Sequence, residues 1–120
     1  MARTILDVDT LGGSYPTLQP AATSLDITET AADAVNGNSF PCTGKEILIA
    51  RNSTGGALTF TVTSVVDGLN RTGNITTYSV GANLVSAFGP IELAGWRQAD
   101  GHIYVDGSAA GVLFTVLRIP

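Results

Sequence analysis

Two carboxylates two positions apart, Asp7 and Asp9, are the first residues along the chain whose spacing is suited to chemistry. If residues 5–9 form a strand, both side chains project from the same face of it. Such a pair can contribute to a calcium site, but calcium requires several more oxygen ligands than two carboxylates supply. We therefore expect no metal site at this position.

The chain contains one cysteine, Cys42, and one histidine, His102, which limits the chemistry open to it. A single cysteine excludes an intrachain disulfide and a cysteine-based zinc site, and a single histidine excludes a His-rich metal site. We expect Cys42 to be a small buried apolar residue, and no known motif ties His102 to a nucleophile. The sequence therefore predicts no catalytic residues and no cofactor, and we do not expect an enzyme.

Charged residues make up only 13% of the 120 residues, roughly half the share found in a typical domain. The formal net charge is −4, and the six Lys and Arg residues are scattered along the chain. Without a basic patch, nucleic-acid binding is not expected. A surface of Ser, Thr, Asn and Gly meets a partner with few charges to desolvate, so the composition favours a protein that is covered by other proteins.

The start of the sequence shows no secretory signal peptide, since only two consecutive apolar residues precede Asp7. No apolar run approaches the roughly 20 residues that a membrane-spanning helix needs. We therefore expect synthesis in a cytoplasm and no membrane partner. The chain length predicts one folded domain.

Residues 1–24 differ from the rest of the chain and are predicted to form an extended N-terminal arm. Segment 4–8 can form a short strand, but the glycine pair at 12–13 and the two prolines that follow exclude a long regular element. The arm keeps several apolar residues, so it either docks on a partner or packs back on its own domain. The candidate partner-binding residues are the apolar residues of the arm and the single tryptophan: Ile5, Leu6, Val8, Leu11, Tyr15, Leu18 and Trp96.

Residues 25–120 show the pattern of strands separated by turns. Segment 46–52 is a nearly continuous apolar run, typical of a central strand, and segment 57–63 alternates between apolar and threonine side chains. Because a Gly-rich turn separates these two segments, they are predicted to pair as an antiparallel hairpin. Residues 29–35 have the composition of a helical turn.

The remaining segments complete an all-β prediction. Asp100-Gly101 favours a tight hairpin turn, because this dipeptide readily adopts positive φ angles. Further strands are expected at 25–28, 39–41 (as an edge), 75–80, 84–88, 102–105 and 112–119. About seven or eight antiparallel strands at this spacing indicate a single β-sandwich or jelly-roll-like domain over residues 25–120, preceded by the extended arm.

The order of these segments resembles that of small phage proteins encoded beside the major capsid protein. The resemblance covers about residues 36–119 and consists of strand and turn patterns taken in order. These are the strand and Gly-rich turn at 47–56, the Thr/Val strand at 58–63, Asp67-Gly68-Leu69, the Thr-rich strand and Gly-Ala turn at 75–82, Phe88-Gly89-Pro90, the Asp-Gly-His-Ile-Tyr-Val run at 100–105 and the final apolar strand.

The resemblance implies a capsid decoration, or cement, protein with a jelly-roll-like fold. Such a protein binds the outer surface of the virion, bridges neighbouring subunits of the major capsid protein and stabilises the head. Its expected partners are the major capsid protein and itself, as a homodimer or homotrimer, after synthesis in the host cytoplasm. The alternative is a carbohydrate- or receptor-binding module of a phage tail or fibre, with Trp96 and either Asp100 or Asp67 at its site.

Overall fold

The structure, a computed structural model, describes residues 3–11, 27–66, 69, 73 and 75–119. Within these residues the chain forms ten β-strands and no helix. In chain order the strands are β1 (Thr4–Ile5), β2 (Val8–Thr10), β3 (Thr30–Ala31), β4 (Asn38–Pro41), β5 (Glu46–Asn52), β6 (Leu58–Thr63), β7 (Ile75–Val80), β8 (Val85–Ile91), β9 (His102–Gly107) and β10 (Val112–Arg118).

The strands form two five-stranded sheets that enclose one hydrophobic core. The first sheet has the order β1-β4-β9-β6-β7, and the second has the order β2-β10-β5-β8, with β3 also paired to β10. All pairs among the longer strands, β4 to β10, are antiparallel. The short β1 and β2 join in parallel at the edges, so the sheets are mixed. The predicted all-β sandwich is confirmed, with three short strands added to the longer ones.

The core forms because alternate side chains of the long strands point between the sheets. β5 alternates regularly between buried and half-buried residues, and β6 buries Phe60 and Val62 while its threonines face outward. The ring of Phe60 lies 5.6 Å from that of Phe88 in β8 and 5.8 Å from that of Phe114 in β10, measured between centroids. These edge-to-face contacts join the first sheet to the second at the centre of the core.

The predicted hairpin between segments 46–52 and 57–63 is wrong. β5 pairs with β10 and β8 in the second sheet, whereas β6 pairs with β9 and β7 in the first. The turn carries the chain across the sandwich, and the buried Asn52 holds it, because its Nδ2 donates to the carbonyl oxygens of Gly56 (2.7 Å) and Val80 (2.9 Å). Apolar alternation and a Gly-rich turn fit such a crossing as well as a hairpin, so the pattern could not separate the two.

Three further local predictions differ from the structure. Residues 39–41 were expected at a sheet edge, but β4 lies between β1 and β9 and its first three residues are buried. Residues 29–35 begin with the short strand β3, and a single helical-type turn lies further on than expected, at residues 33–37, where the Gly37 N–H donates to the Asp33 carbonyl oxygen at 2.8 Å. The Asp33 carboxylate organises that turn by accepting from the backbone N–H groups of Val35 (3.2 Å) and Asn36 (3.0 Å). A tight turn is present at Asp100-Gly101, with Gly101 at φ 86°, but it does not join a hairpin, because the described residues between β8 and β9 contain no strand and these two strands belong to different sheets.

The described part of the N-terminal arm, residues 3–11, closes one side of the sandwich; we call it the N-terminal strap. Its β1 pairs in parallel with β4 of the first sheet, and its β2 pairs in parallel with β10 of the second. Leu6, between them, is buried in the core. The arm was expected either to dock on a partner or to pack back on its own domain, and in this structure the strap packs on its own domain.

The opposite side of the sandwich ends in β7 and β8, the last strands of the two sheet orders. Each of these strands pairs irregularly with its neighbour in its own sheet, because the register shifts within the β6–β7 pair and within the β5–β8 pair. Thr77 has a positive φ of 46°, and Gly89 has a φ of 135°. A Cβ atom on Gly89 would lie 2.9 Å from the carbonyl oxygen of Glu46, so this approach requires glycine. The rings of Tyr78 and Phe88 connect the two edges, with centroids 5.2 Å apart.

Candidate interaction surfaces

The predicted partner-binding residues of the strap have unequal access to solvent. Ile5 is 62% exposed on β1, and Leu11 is 37% exposed just after β2. Val8 is half-buried against the core, and Leu6 is only 2% exposed. In this position Leu6 packs in the core and stabilises the domain itself, and its role in binding a partner stays a prediction. Tyr15 and Leu18 lie outside the described residues.

Trp96 lies far from the strap in the fold, near the edges formed by β7 and β8. It follows a turn in which its backbone N–H donates to the carbonyl oxygen of Leu93 at 3.4 Å, and its side chain packs partly buried against the core. It lines an apolar cleft of about 170 Å³ together with Val62, Ile75, Phe88, Gly89, Pro90 and Ile91. Since the strap and this cleft occupy opposite sides of the sandwich, the predicted residues do not form one surface.

A second concave surface lies on the outward face of the second sheet, and the sequence predictions did not include it. We call it the outer groove. Its volume is about 280 Å³, and it is lined by Ile27, Glu29, Ile49, Arg51, Val85 and Thr115. Ile27 and Val85 are 54% and 57% exposed. The groove thus offers large apolar side chains to an incoming partner, on a sheet face that is usually polar when it meets water.

The strand register explains how these residues meet. Ile49 of β5 faces Thr115 of β10 on one side and Ala87 of β8 on the other. Two residues further along β5, Arg51 faces Val85 of β8. Because side chains two apart share a face of a strand, these outward positions line up across the sheet. The sequence did contain a sign of this surface, since segment 46–52 is apolar at outward as well as inward positions.

One ion pair borders the outer groove. Arg51 donates from Nε and Nη2 to the carboxylate of Glu29 at 2.8 and 3.0 Å, a bidentate arrangement. The hydrogen bond from Arg51 lowers the pKa of Glu29, and the same bond raises the pKa of Arg51. The two charges neutralise each other, so a partner meets an apolar surface with a neutral, hydrogen-bonding rim.

The outward face of the first sheet is polar. The guanidinium of Arg3 lies 4.1 Å from the ring centroid of Tyr104 and donates to the Asp106 carboxylate at 2.8 Å. The hydroxyl of Tyr104 donates to Asp100 at 2.8 Å, and this bond lowers the pKa of Asp100 and raises that of Tyr104. His102 contacts Ser39 Oγ through Nδ1 at 3.1 Å. The polar groups of this face largely bond to one another.

The residues named for a carbohydrate site have other contacts in the fold. Besides Tyr104, the Asp100 carboxylate accepts from the backbone N–H of His102 at 3.0 Å, so it holds the turn before β9. Trp96 faces an apolar cleft. Asp67 lies outside the described residues. These contacts give Asp100 and Trp96 local structural roles.

The remaining reactive groups are also built into the fold. Cys42 is buried, its Sγ lies 3.8 Å from the carbonyl oxygen of Ile91, and burial raises the pKa of its thiol. Among the described residues, no three His, Cys, Asp or Glu side chains are grouped so that they could hold a metal ion. In the same part of the chain, no helix is long and apolar enough to cross a membrane.

Comparisons of the chain with known protein families, with curated proteins and with solved structures find no match.

Proposed function

We propose that this protein is a structural protein of a phage virion that binds the outer surface of the capsid through its outer groove. In this role it bridges neighbouring subunits of the major capsid protein and stabilises the head. The observation that carries the proposal is the outer groove itself, an exposed apolar concavity in a sheet face with a neutral rim. Apolar patches of this kind on a small domain are typical of protein–protein contacts.

The physical properties of the surface suit a repeated, modest contact. Burying apolar area contributes about 25 cal/mol per Å², and the pairing of Arg51 with Glu29 leaves little isolated charge to desolvate at the groove. Many weak contacts, repeated over a shell, hold neighbouring subunits together through their number. In this proposal the protein acts as a homodimer or homotrimer, so that one particle contacts more than one capsid subunit.

The test is binding to purified expanded capsids in a sedimentation assay, with a charge placed in the groove. Val85→Asp puts an unpaired carboxylate among apolar side chains, so we expect at least tenfold weaker binding, which corresponds to about 1.4 kcal/mol. Thr59→Asp is the matched control, because it places the same charge on the outward face of the first sheet.

The proposal predicts that Thr59→Asp sediments with capsids as the unmodified protein does, while Val85→Asp stays in the supernatant. Circular dichroism of both variants checks that they remain folded. Failure of the unmodified protein to sediment with capsids would rule out the capsid role. Equal binding by both variants would exclude the outer groove as the contact.

A further inference from the structure

We propose that the N-terminal strap is exchanged between copies, so that residues 3–11 of one chain lie between β4 and β10 of a second chain. The inference deepens the oligomer part of the proposed function and rests on it only for its biological role. The partner is a second copy of this chain, and the interaction surface is the edge where the two sheets receive β1 and β2.

The strap is held by contacts that any copy can supply. Its backbone N–H groups donate to the domain at Gly37 (Thr4 N, 3.0 Å), Ser39 (Leu6 N, 2.7 Å) and Arg118 (Leu11 N, 2.9 Å). All three acceptors belong to the body of the domain, and so does the core that surrounds Leu6. An exchanged strap from a neighbour remakes these contacts without loss.

Side-chain contacts of the strap are specific enough to guide a strap into place. Arg3 bonds to the carboxylate of Asp106 at 2.8 Å and to the carbonyl oxygen of Asn38 at 3.0 Å. Thr4 Oγ1 donates to Asp33 at 2.6 Å. These bonds tie the start of the strap to three separate parts of the first sheet and its turns, so they favour one register of the strap over others.

The connection between strap and domain is longer than an intrachain link requires. The Asp9 carboxylate accepts from the backbone N–H of Thr28 at 2.8 Å, so the chain returns close to the strap. Residues 12–26, which join the two, number fifteen, and such a segment can extend to roughly 50 Å. The longest strands of the domain have seven residues, or about 23 Å. The connection can therefore reach the receiving edge of an adjacent copy.

Exchange links copies through elements that are already folded, so it needs no large new interface. The additional cost is the translational and rotational entropy lost on association, together with the entropy of the connection, which changes only slowly with its length. Reciprocal exchange closes a dimer, and cyclic exchange closes a trimer. Such an assembly gives each particle several outer grooves.

A disulfide between the strap and the body of the domain shows whether the bound strap belongs to the same chain or to a second copy. Asp9 and Leu117 are partners in the β2–β10 register, and neighbouring strands lie at a Cα separation that a disulfide spans. In a Cys42→Ala background we would combine D9C with L117C, refold at low and high protein concentration, oxidise, and run denaturing gels without reductant. The control is I49C with A87C, a β5–β8 pair within one domain body.

We expect covalent dimers or trimers from D9C/L117C, increasing with protein concentration during refolding, and covalent monomers from the control. A second measurement co-refolds a size-tagged D9C chain with an untagged L117C chain, and exchange predicts a covalent species of mixed size. Oligomers in light scattering whose D9C/L117C disulfides are all intrachain would overturn the proposal, as would a protein that stays monomeric. Capsid sedimentation is measured separately, so the disulfide pattern can be interpreted even if the protein does not bind capsids.

Discussion

Arg118 donates from Nε to the carboxylate of Glu46 at 2.5 Å and so joins the end of β10 to the start of β5. Glu46 is fully buried, and its carboxylate also accepts from the backbone N–H and the hydroxyl of Thr43 at 2.7 and 2.8 Å. Burial raises the pKa of Glu46, but the hydrogen bonds from Thr43 and Arg118 outweigh it, and the pKa is lowered overall. Glu46 is therefore a charged group inside the domain that depends on its partners.

Removal of the Arg118 side chain should destabilise the domain strongly. Arg118→Ala leaves the buried Glu46 carboxylate without its cationic partner, and we expect a loss of about 3 kcal/mol in the free energy of unfolding. Urea unfolding followed by circular dichroism measures the change. The exposed Arg97 provides the control, since Arg97→Ala should change stability by less than about 0.5 kcal/mol. Equal effects of the two substitutions would contradict the role assigned to the Glu46–Arg118 pair.

Stability should fall in acid, and Asp33 should contribute to that fall. Hydrogen bonds from the Thr4 hydroxyl and the Asn36 backbone lower the pKa of Asp33 to about 2. A carboxyl group with a lowered folded-state pKa stabilises the protein above its unfolded pKa and loses this contribution as pH falls through the folded value. The contribution of Asp33 should therefore be full near neutral pH and disappear between about pH 4 and pH 2.

An NMR titration of the Asp33 carboxyl carbon should give a midpoint near 2. Asp33→Asn should flatten the pH dependence of the unfolding free energy between about pH 4 and pH 2. The control is Asp7→Asn, a change in an exposed strap residue, in which the pH dependence should persist. A titration midpoint at the ordinary value for aspartate would show that the Thr4–Asp33 contact is not formed in solution.

Leu6 and Ile5 should respond differently to truncation although they are adjacent in the strap. Leu6→Ala creates a cavity in the core, and we expect a loss of about 2–4 kcal/mol in unfolding free energy. Ile5→Ala removes an exposed side chain and should cost less than about 0.5 kcal/mol. Thermal or urea unfolding of the two variants measures the difference. Similar small losses for both would mean that the strap leaves its position in solution.

The fold class was predictable because the long strands carry their own pattern. The alternation of β6 and the apolar run of β5 depend only on local sequence, and both segments form strands as expected. Pairing was less predictable, because the crossing turn depends on the side chain of Asn52 and its acceptor at Val80, 28 positions away in the chain. No local pattern encodes such a contact.

The candidate surfaces were predicted only in part, for a related reason. Apolar residues in the arm indicated binding, but whether each one faces the core or the solvent depends on the edge it joins. Leu6 and Ile5 have the same chemistry and opposite exposure because strand geometry sends neighbouring side chains to opposite sides. The outer groove was missed because its residues come from separate strands and from the segment around Ile27.

The irregular edges at β7 and β8 bear on how the protein behaves when it is crowded. A straight, unpaired edge strand is a template on which identical molecules stack into fibres. At β7 and β8 the row of donors and acceptors that stacking needs is interrupted in three ways. The strand pairing contains shifts of register, Thr77 has a positive φ, and Pro90 has no backbone N–H to donate. Many copies held at high local density should therefore stay separate along this side and remain soluble instead of polymerising edge to edge.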